Sequence, residues 1–170
     1  MDLYLDTTPG DGALRAAGLR ARLRVSAKGV KLAVKGRSSV GPEGVTTRME
    51  LEAPATPALS PGAWPASAAR TAVTEIVGAA QLVEIAALRQ RRHVRLLRNG
   101  ATQVELSLDE LSALEAGGNV LDTRVELEAE LKSGPAEPLH ELARALGMVN
   151  GLGPALGSKL EFTLRARLER

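Results

Sequence analysis

Short stretches of strict alternation run through the chain. Residues 19–25, 30–35, 45–52, 88–97, 102–108 and 124–132 each set apolar and polar side chains in turn, the period of a strand whose two faces meet different surroundings. Asn99-Gly100 separates two of these stretches and predicts a tight hairpin, because a type I′ turn needs positive φ at both central residues. Lys28-Gly29 and the stretch 36–44 predict further turns.

A longer period marks three helices. Residues 67–77 are rich in alanine and follow Pro65. Leu139, Leu142, Ala143 and Leu146 recur at i, i+3, i+4 and i+7, with Gly147 placed to close the helix. Ser158-Lys159-Leu160-Glu161 matches a capping box, and Leu160, Leu164 and Leu168 then share one face. Pro54, Pro57, Pro61 and Pro65 make 53–65 an extended connection within a domain. Strands joined in sequence with helices between them predict one antiparallel α+β domain over residues 1–170.

The polar faces of the strands carry a segregated pattern. Arg20, Arg22 and Arg24 share one face, as do Lys31 and Lys35. Arg48, Glu50 and Glu52 follow, then Arg89, Arg91, His93 and Arg95. The later strands turn acidic, with Glu105 and Asp109, then Glu126, Glu128 and Glu130. Two readings stand side by side. One is an antiparallel sheet with a solvated face. The other is a sheet closed into a barrel with the charges inside. The row Glu126, Glu128, Glu130 favours the second, since carboxylates about 7 Å apart repel unless cations sit among them. A lumen of this kind offers Arg and Lys to phosphate oxygens and carboxylates to a hard divalent cation.

Composition narrows the choice. The 170 residues are 44% hydrophobic but only 2% aromatic, with a formal net charge of +2. The core must be aliphatic, and binding of single-stranded nucleic acid lacks the aromatic platforms it uses. There is no cysteine, which closes disulfide, thiolate-metal and cysteine-nucleophile chemistry. No apolar run reaches the roughly 20 residues of a membrane span, and a cytoplasmic protein is expected. Gly157-Ser158-Lys159 places serine before lysine and does not fit a P-loop. His93 and His140 stand alone, without a partner at ligand spacing.

Taken in order, several motifs resemble the CYTH domain, the triphosphate tunnel metalloenzyme family. They are Tyr4-Leu5-Asp6-Thr7, Gly18-Leu19-Arg20-Ala21-Arg22-Leu23-Arg24, Val30 to Lys35, and Arg48-Met49-Glu50-Leu51-Glu52. Arg89-Gln90-Arg91, Val104 to Asp109, Glu126 to Gly134 and Ser158 to Glu161 complete the series. The resemblance implies an antiparallel β-barrel with helices packed outside. The family's opening E-x-E-x-K strand is not found before Tyr4, so the barrel is expected to lack its first strand. Another strand, from this chain or from a second copy in a homodimer, could fill that edge. The resemblance further implies that Arg22, Arg24, Lys35, Arg89, Arg91 and Lys159 contact phosphate. It implies Glu126, Glu128 and Asp109 as ligands for Mg²⁺ or Mn²⁺, and Lys35, Glu50 and Asp109 as the groups acting on water. The expected partner is a triphosphate or polyphosphate anion, with no nucleic acid and no membrane. Metal-dependent hydrolysis is the activity implied. A module that binds the anion without turnover is the alternative.

Overall fold

The computed structural model describes residues 1–9, 12–41 and 45–169. These residues form one antiparallel sheet of seven strands. They are β1 (Asp2–Asp6), β2 (Arg20–Ser26), β3 (Gly29–Val40), β4 (Thr46–Ala55), β5 (Val83–Asn99), β6 (Thr102–Leu114) and β7 (Val120–Ser133). Their order in space is β4-β3-β2-β1-β5-β6-β7. Only the step from β4 to β5 leaves the neighbouring position, and the connection carrying α2 (Ala68–Val77) makes that crossing. The remaining helices are α1 (Ala13–Ala16), α3 (Glu137–Gly147) and α4 (Lys159–Leu168). None of the described helices is long and apolar enough to cross a membrane.

β1 is the hinge of the layout, pairing with β2 on one side and β5 on the other. It forms because Leu3 and Leu5 face one way while Asp2 and Tyr4 face the other. The strand ends where Asp6 turns its buried carboxylate onto the start of α1. Oδ1 accepts from the amides of Thr7 (2.8 Å) and Leu14 (2.9 Å), and Oδ2 from that of Arg15 (3.0 Å). Thr7 Oγ1 takes the amide of Ala13 at 3.0 Å. The orphan donors of a four-residue helix are thereby satisfied from the preceding strand. A Cβ at Gly12 would collide with the Asp6 carboxyl group, so glycine is required there.

Two clusters of buried side chains lie on opposite faces of the sheet. Leu5, Leu23, Leu32 and Val34 meet Leu14, Trp64 and Val73 beneath α1 and α2. Trp64 keeps its indole satisfied by donating to the Ala58 carbonyl at 2.8 Å. On the other face Tyr4, Leu88, Leu111 and Ala113 meet Leu160, Phe162 and Ala166 of α4. The capping box opens α4 with both arms formed: Glu161 N donates to Ser158 Oγ (3.2 Å), and Ser158 N donates to Glu161 Oε2 (2.6 Å).

The antiparallel α+β architecture is the one expected. Several details differ. β1 and α1 are additional to the stretches that alternation marks, because five and four residues are too few to show a period. β4 runs on through Pro54 to Ala55, which an edge strand tolerates because its outer amides need no ladder partner. Of the turn expected over 36–44, Gly36 to Val40 continue β3 past a bulge after Lys35, and 42–44 lie outside the described residues. The β5–β6 turn is centred on Gly100 and Ala101, with Asn99 still paired to Thr102; Gly100 carries the positive φ of 57°. Leu168 is 83% exposed and leaves the apolar face expected for α4. Among the described residues β4 and β7 are the two edges of the sheet and are not bonded to each other. α1 and α2 pack on the apolar face, as expected of helices outside a barrel. α4 lies on the charged face, and that decides the site.

Candidate functional site

Residues opposite one another in an antiparallel ladder share a face. Register therefore assembles the charged face directly. Asp2 lies opposite Arg24 and Tyr4 opposite Arg22. Arg20 lies opposite Lys35 and Lys31 opposite Arg24, with Lys35 opposite Glu50. On the other wing Arg92 pairs with Asp109 and Leu96 with Glu105. Asp109 pairs in turn with Glu126, Ser107 with Glu128 and Glu105 with Glu130. Cations of β2 and β3 thus look out from the same side as carboxylates of β6 and β7.

The cationic wing centres on Asp2. Arg24 holds it through two bonds, Nε to Oδ1 at 2.8 Å and Nη2 to Oδ2 at 2.9 Å. Arg22 adds Nη1 to Oδ2 at 2.9 Å. Burial alone would raise the Asp2 pKa, but the Arg24 hydrogen bond and the Arg22 charge hold it below the usual carboxylate value. Arg22 is only 8% exposed, and its buried Nε has no hydrogen-bond partner among the described residues. Lys35 Nζ reaches Glu50 Oε1 at 3.0 Å, and Arg48 Nε reaches the same oxygen at 2.6 Å. Burial, and then the Arg22 charge, push the Lys35 pKa down.

Gln90 lies between the wings. Its Oε1 accepts from Arg24 Nη2 at 3.4 Å, and its side chain helps to lower the Asp109 pKa.

Asp109 is fully buried and lies at the centre of the acidic wing. Arg92 grips it with Nε to Oδ1 at 2.7 Å and Nη2 to Oδ2 at 2.6 Å, and the same Nη2 reaches Glu128 Oε2 at 2.6 Å. Lys159, from the first turn of α4, places Nζ 2.5 Å from Asp109 Oδ2, 3.1 Å from Glu128 Oε1 and 3.7 Å from Glu126 Oε2. Arg124 pairs with Glu126 and lies 4.5 Å over the Phe162 ring. Burial would raise the Asp109 pKa; the hydrogen bonds from Arg92 and Lys159 override it and hold that carboxyl well below the usual range. Glu126 goes the other way, raised by burial and by the neighbouring charges of Glu128 and Asp109.

Of the residues expected to form the site, the structure sets Arg22, Arg24, Lys35, Glu50, Asp109, Glu126, Glu128 and Lys159 on one face of the sheet. It does not bring Arg89 and Arg91 to them. These two pair with Ser112 and Glu110 and stand exposed on the opposite face. Arg92, on the other face from 89, 91, 93 and 95, holds the position instead. A usable signal lay in the hairpin. Any two-residue turn at Asn99-Gly100 or at Gly100-Ala101 pairs each odd-numbered residue of one strand with an even-numbered one of the other. Asp109 must then share its face with Gln90 and Arg92. Asp2 is also missed and carries no such signal, because its role depends on arginines 20 and 22 positions away.

The donor set suits a hard divalent cation, being carboxylate oxygen throughout. Among the described residues no three acidic or imidazole groups are arranged as a finished metal cage. Three carboxylates nevertheless converge on a single cationic atom, Lys159 Nζ, so a positive charge already sits where their oxygens meet. Those carboxylates are Asp109, Glu126 and Glu128, and the point where they meet is filled by the ammonium.

Comparison with known proteins accords with this geometry. The CYTH domain model matches residues 1–163. The solved structure of a Bacillus halodurans protein, named as a candidate adenylate cyclase, superposes with a TM-score of 0.59 at 18% identity, over 95% of this chain and 79% of that one. At that identity the likeness is one of fold. A comparison with curated proteins gives no match. With nearly its whole length matched and its antiparallel sheet carrying charge of both signs on one face, the chain belongs to the CYTH domain family of triphosphate-binding proteins.

Proposed function

We propose that this chain binds the phosphate chain of an inorganic or organic triphosphate on its charged face and, with Mg²⁺ or Mn²⁺, hydrolyses a phosphoanhydride bond. The observation that carries the reading is the meeting of two arrays on one face. Arg22, Arg24 and Lys35 line the β2–β3 side, and three carboxylates gather around one cationic point on the β6–β7 side. The buried Nε of Arg22, without a partner among the described residues, supports an anionic ligand, since a buried donor without an acceptor is costly. Arginines present paired donors that match phosphate oxygens.

In this reading Asp109, Glu126 and Glu128 hold the metal, which when bound neutralises charge on the phosphate chain. Arg22, Arg24, Arg92 and Lys35 grip the remaining oxygens, and Glu50 beside Lys35 orients a water. Water adds its oxygen to the attacked phosphorus and gives up a proton to solvent, the anhydride P–O bond breaks, and the leaving phosphate takes the electron pair. Positioning and charge neutralisation supply most of the acceleration in such transfers. The likeness to a protein named as a cyclase favours no nucleotide here.

Phosphate release from inorganic triphosphate tests this. With Mg²⁺ or Mn²⁺ the chain is expected to release phosphate, EDTA to abolish release, and Glu126→Ala/Glu128→Ala to lower it about 100-fold or more. Triphosphate binding that persists in EDTA with no turnover under any metal would replace the enzyme with an anion-binding module.

A further inference from the structure

We infer that Asp2 is a positioning residue for the anion: its buried carboxylate ties Arg22 to Arg24 and fixes the direction from which their remaining donors meet phosphate. The inference rests on the anion-binding half of the proposed function and is independent of the metal half.

The contacts around Asp2 carry the argument. Its side chain is buried, and two arginines converge on its two oxygens. Arg24 donates Nε to Oδ1 at 2.8 Å and Nη2 to Oδ2 at 2.9 Å. Arg22 places Nη1 2.9 Å from Oδ2. A bidentate pair fixes the plane of a guanidinium as well as its place. The grip leaves donors over, because a guanidinium carries five N–H groups. Nη1 of Arg24 lies outside the bidentate pair. Nε of Arg22 is buried and has no hydrogen-bond partner among the described residues.

Strand register makes this arrangement. Asp2 stands opposite Arg24, and buried Tyr4 stands opposite Arg22. Arg22 and Arg24 are two positions apart on one strand, about 7 Å, so their charges repel unless a carboxylate lies between them. Each long side chain also has rotamer freedom to lose. With Asp2 in place that freedom is lost on folding, and the anion need not order the arginines when it binds. Arg20, the third arginine of the row, has no such support. Its carboxylate partner Glu161 is 3.8 Å away, and neither side chain is buried.

Two effects of Asp2 oppose each other. Its negative charge weakens attraction for an anion, whereas its grip aims the donors that bind one. The second dominates here, because two guanidiniums already offset the charge at contact distance. Removing the charge should therefore weaken anion binding, the reverse of what net charge alone predicts.

Isothermal titration of the full chain with inorganic triphosphate in Mg²⁺ tests this, with folding of each variant checked by circular dichroism. Asp2→Asn is expected to bind about tenfold more weakly, the scale of one hydrogen bond to a charged group. Glu52→Gln makes the same charge change on the same face, where Glu52 lies 3.7 Å from Lys31. It is expected to bind as tightly as wild type or tighter. Asp2→Asn/Arg24→Ala is expected to lose less than the product of the two separate losses, as groups acting together do. Losses that multiply overturn the inference, and so does Asp2→Asn binding as tightly as wild type; both leave the proposed function standing. No binding by wild type overturns the proposed function, and the inference with it. If Asp2→Asn fails to fold, Asp2→Glu decides, since it keeps the charge and moves the carboxylate by one methylene. A severalfold loss from Asp2→Glu upholds the inference, and unchanged affinity overturns it.

Discussion

Replacing Arg92 with alanine removes the guanidinium that holds both oxygens of Asp109 and one of Glu128. Replacing Arg91 removes a similar group from the other face of the same strand. The two neighbours therefore make a sharp test of which face binds the anion. Isothermal titration with inorganic triphosphate in Mg²⁺ is expected to show a loss of about 10- to 100-fold for Arg92→Ala, the scale of hydrogen bonds to a charged group. Arg91→Ala is expected to stay within about twofold of wild type, since a solvated surface charge contributes little. Equal losses from both would mean that anion binding is a diffuse effect of positive charge. The same side-chain parity explains why Glu50, Asp109, Glu126 and Glu128 were legible from alternation alone: each lies in a strand whose polar face has no competing polar row behind it. β5 is different. Both of its faces are rich in arginine beyond Leu88, so alternation could not say which one faces the carboxylates.

At the scale of elements, the shortest ones depend most on side-chain hydrogen bonds. α1 has four residues, far below the length at which a helix sustains itself in water. It persists because Asp6 accepts three amides and Thr7 a fourth. Asp6→Ala is expected to destabilise the protein by about 2–3 kcal/mol, from buried amides left without acceptors, measured as a shift in urea midpoint at unchanged slope. Asp6→Asn keeps one acceptor oxygen and is expected to lose less. A change within error for both would show that α1 is held by Leu14 packing alone. α4 needs no such support from outside. Its capping box was readable in four residues, since every partner lies within three positions, and the structure forms both arms. Its place on the charged face was not readable, because the residues that receive it, Tyr4, Leu88 and Leu111, are scattered over the chain.

Across the whole molecule, β1 is where the two wings meet, and Asp2 is the charge at that junction. Its carboxyl pKa is lowered in the folded chain from the usual 3.8. A group depressed in this way contributes stability that is complete above its unfolded value and is lost as pH falls through the folded one. The contribution of Asp2 is therefore constant at neutral pH and is lost progressively once pH falls below the unfolded value of 3.8. Thermal denaturation of Asp2→Asn is expected to show a flatter acid limb than wild type and a midpoint lowered at pH 7. The loss at neutral pH is expected at about 3 kcal/mol, the lower end for removing one partner of a buried ion pair, here Arg22. Identical acid limbs would place the acid sensitivity elsewhere. The open seam between β4 and β7 is also a property of this scale. Both edges carry charged side chains, Glu50 and Glu52 on one and Glu126 to Glu130 on the other, a common guard against unwanted strand pairing.

By itself the sequence determined what depends on near neighbours. Alternation placed six strands, i to i+4 spacing placed the apolar stripe of α3, a serine and a glutamate three positions apart opened α4, and one glycine located the β5–β6 turn. Each rests on contacts within a few residues, so a window of sequence contains both partners. Tertiary structure alone decided the rest. It set β1 between β2 and β5, turned Arg92 rather than Arg89 and Arg91 toward the carboxylates, and brought Lys159 onto Asp109, 50 residues away. The reason is physical. A side chain's chemistry is written in its own identity, but the charge it meets is chosen by strand register and helix docking, and those are settled by burial summed over the whole sheet.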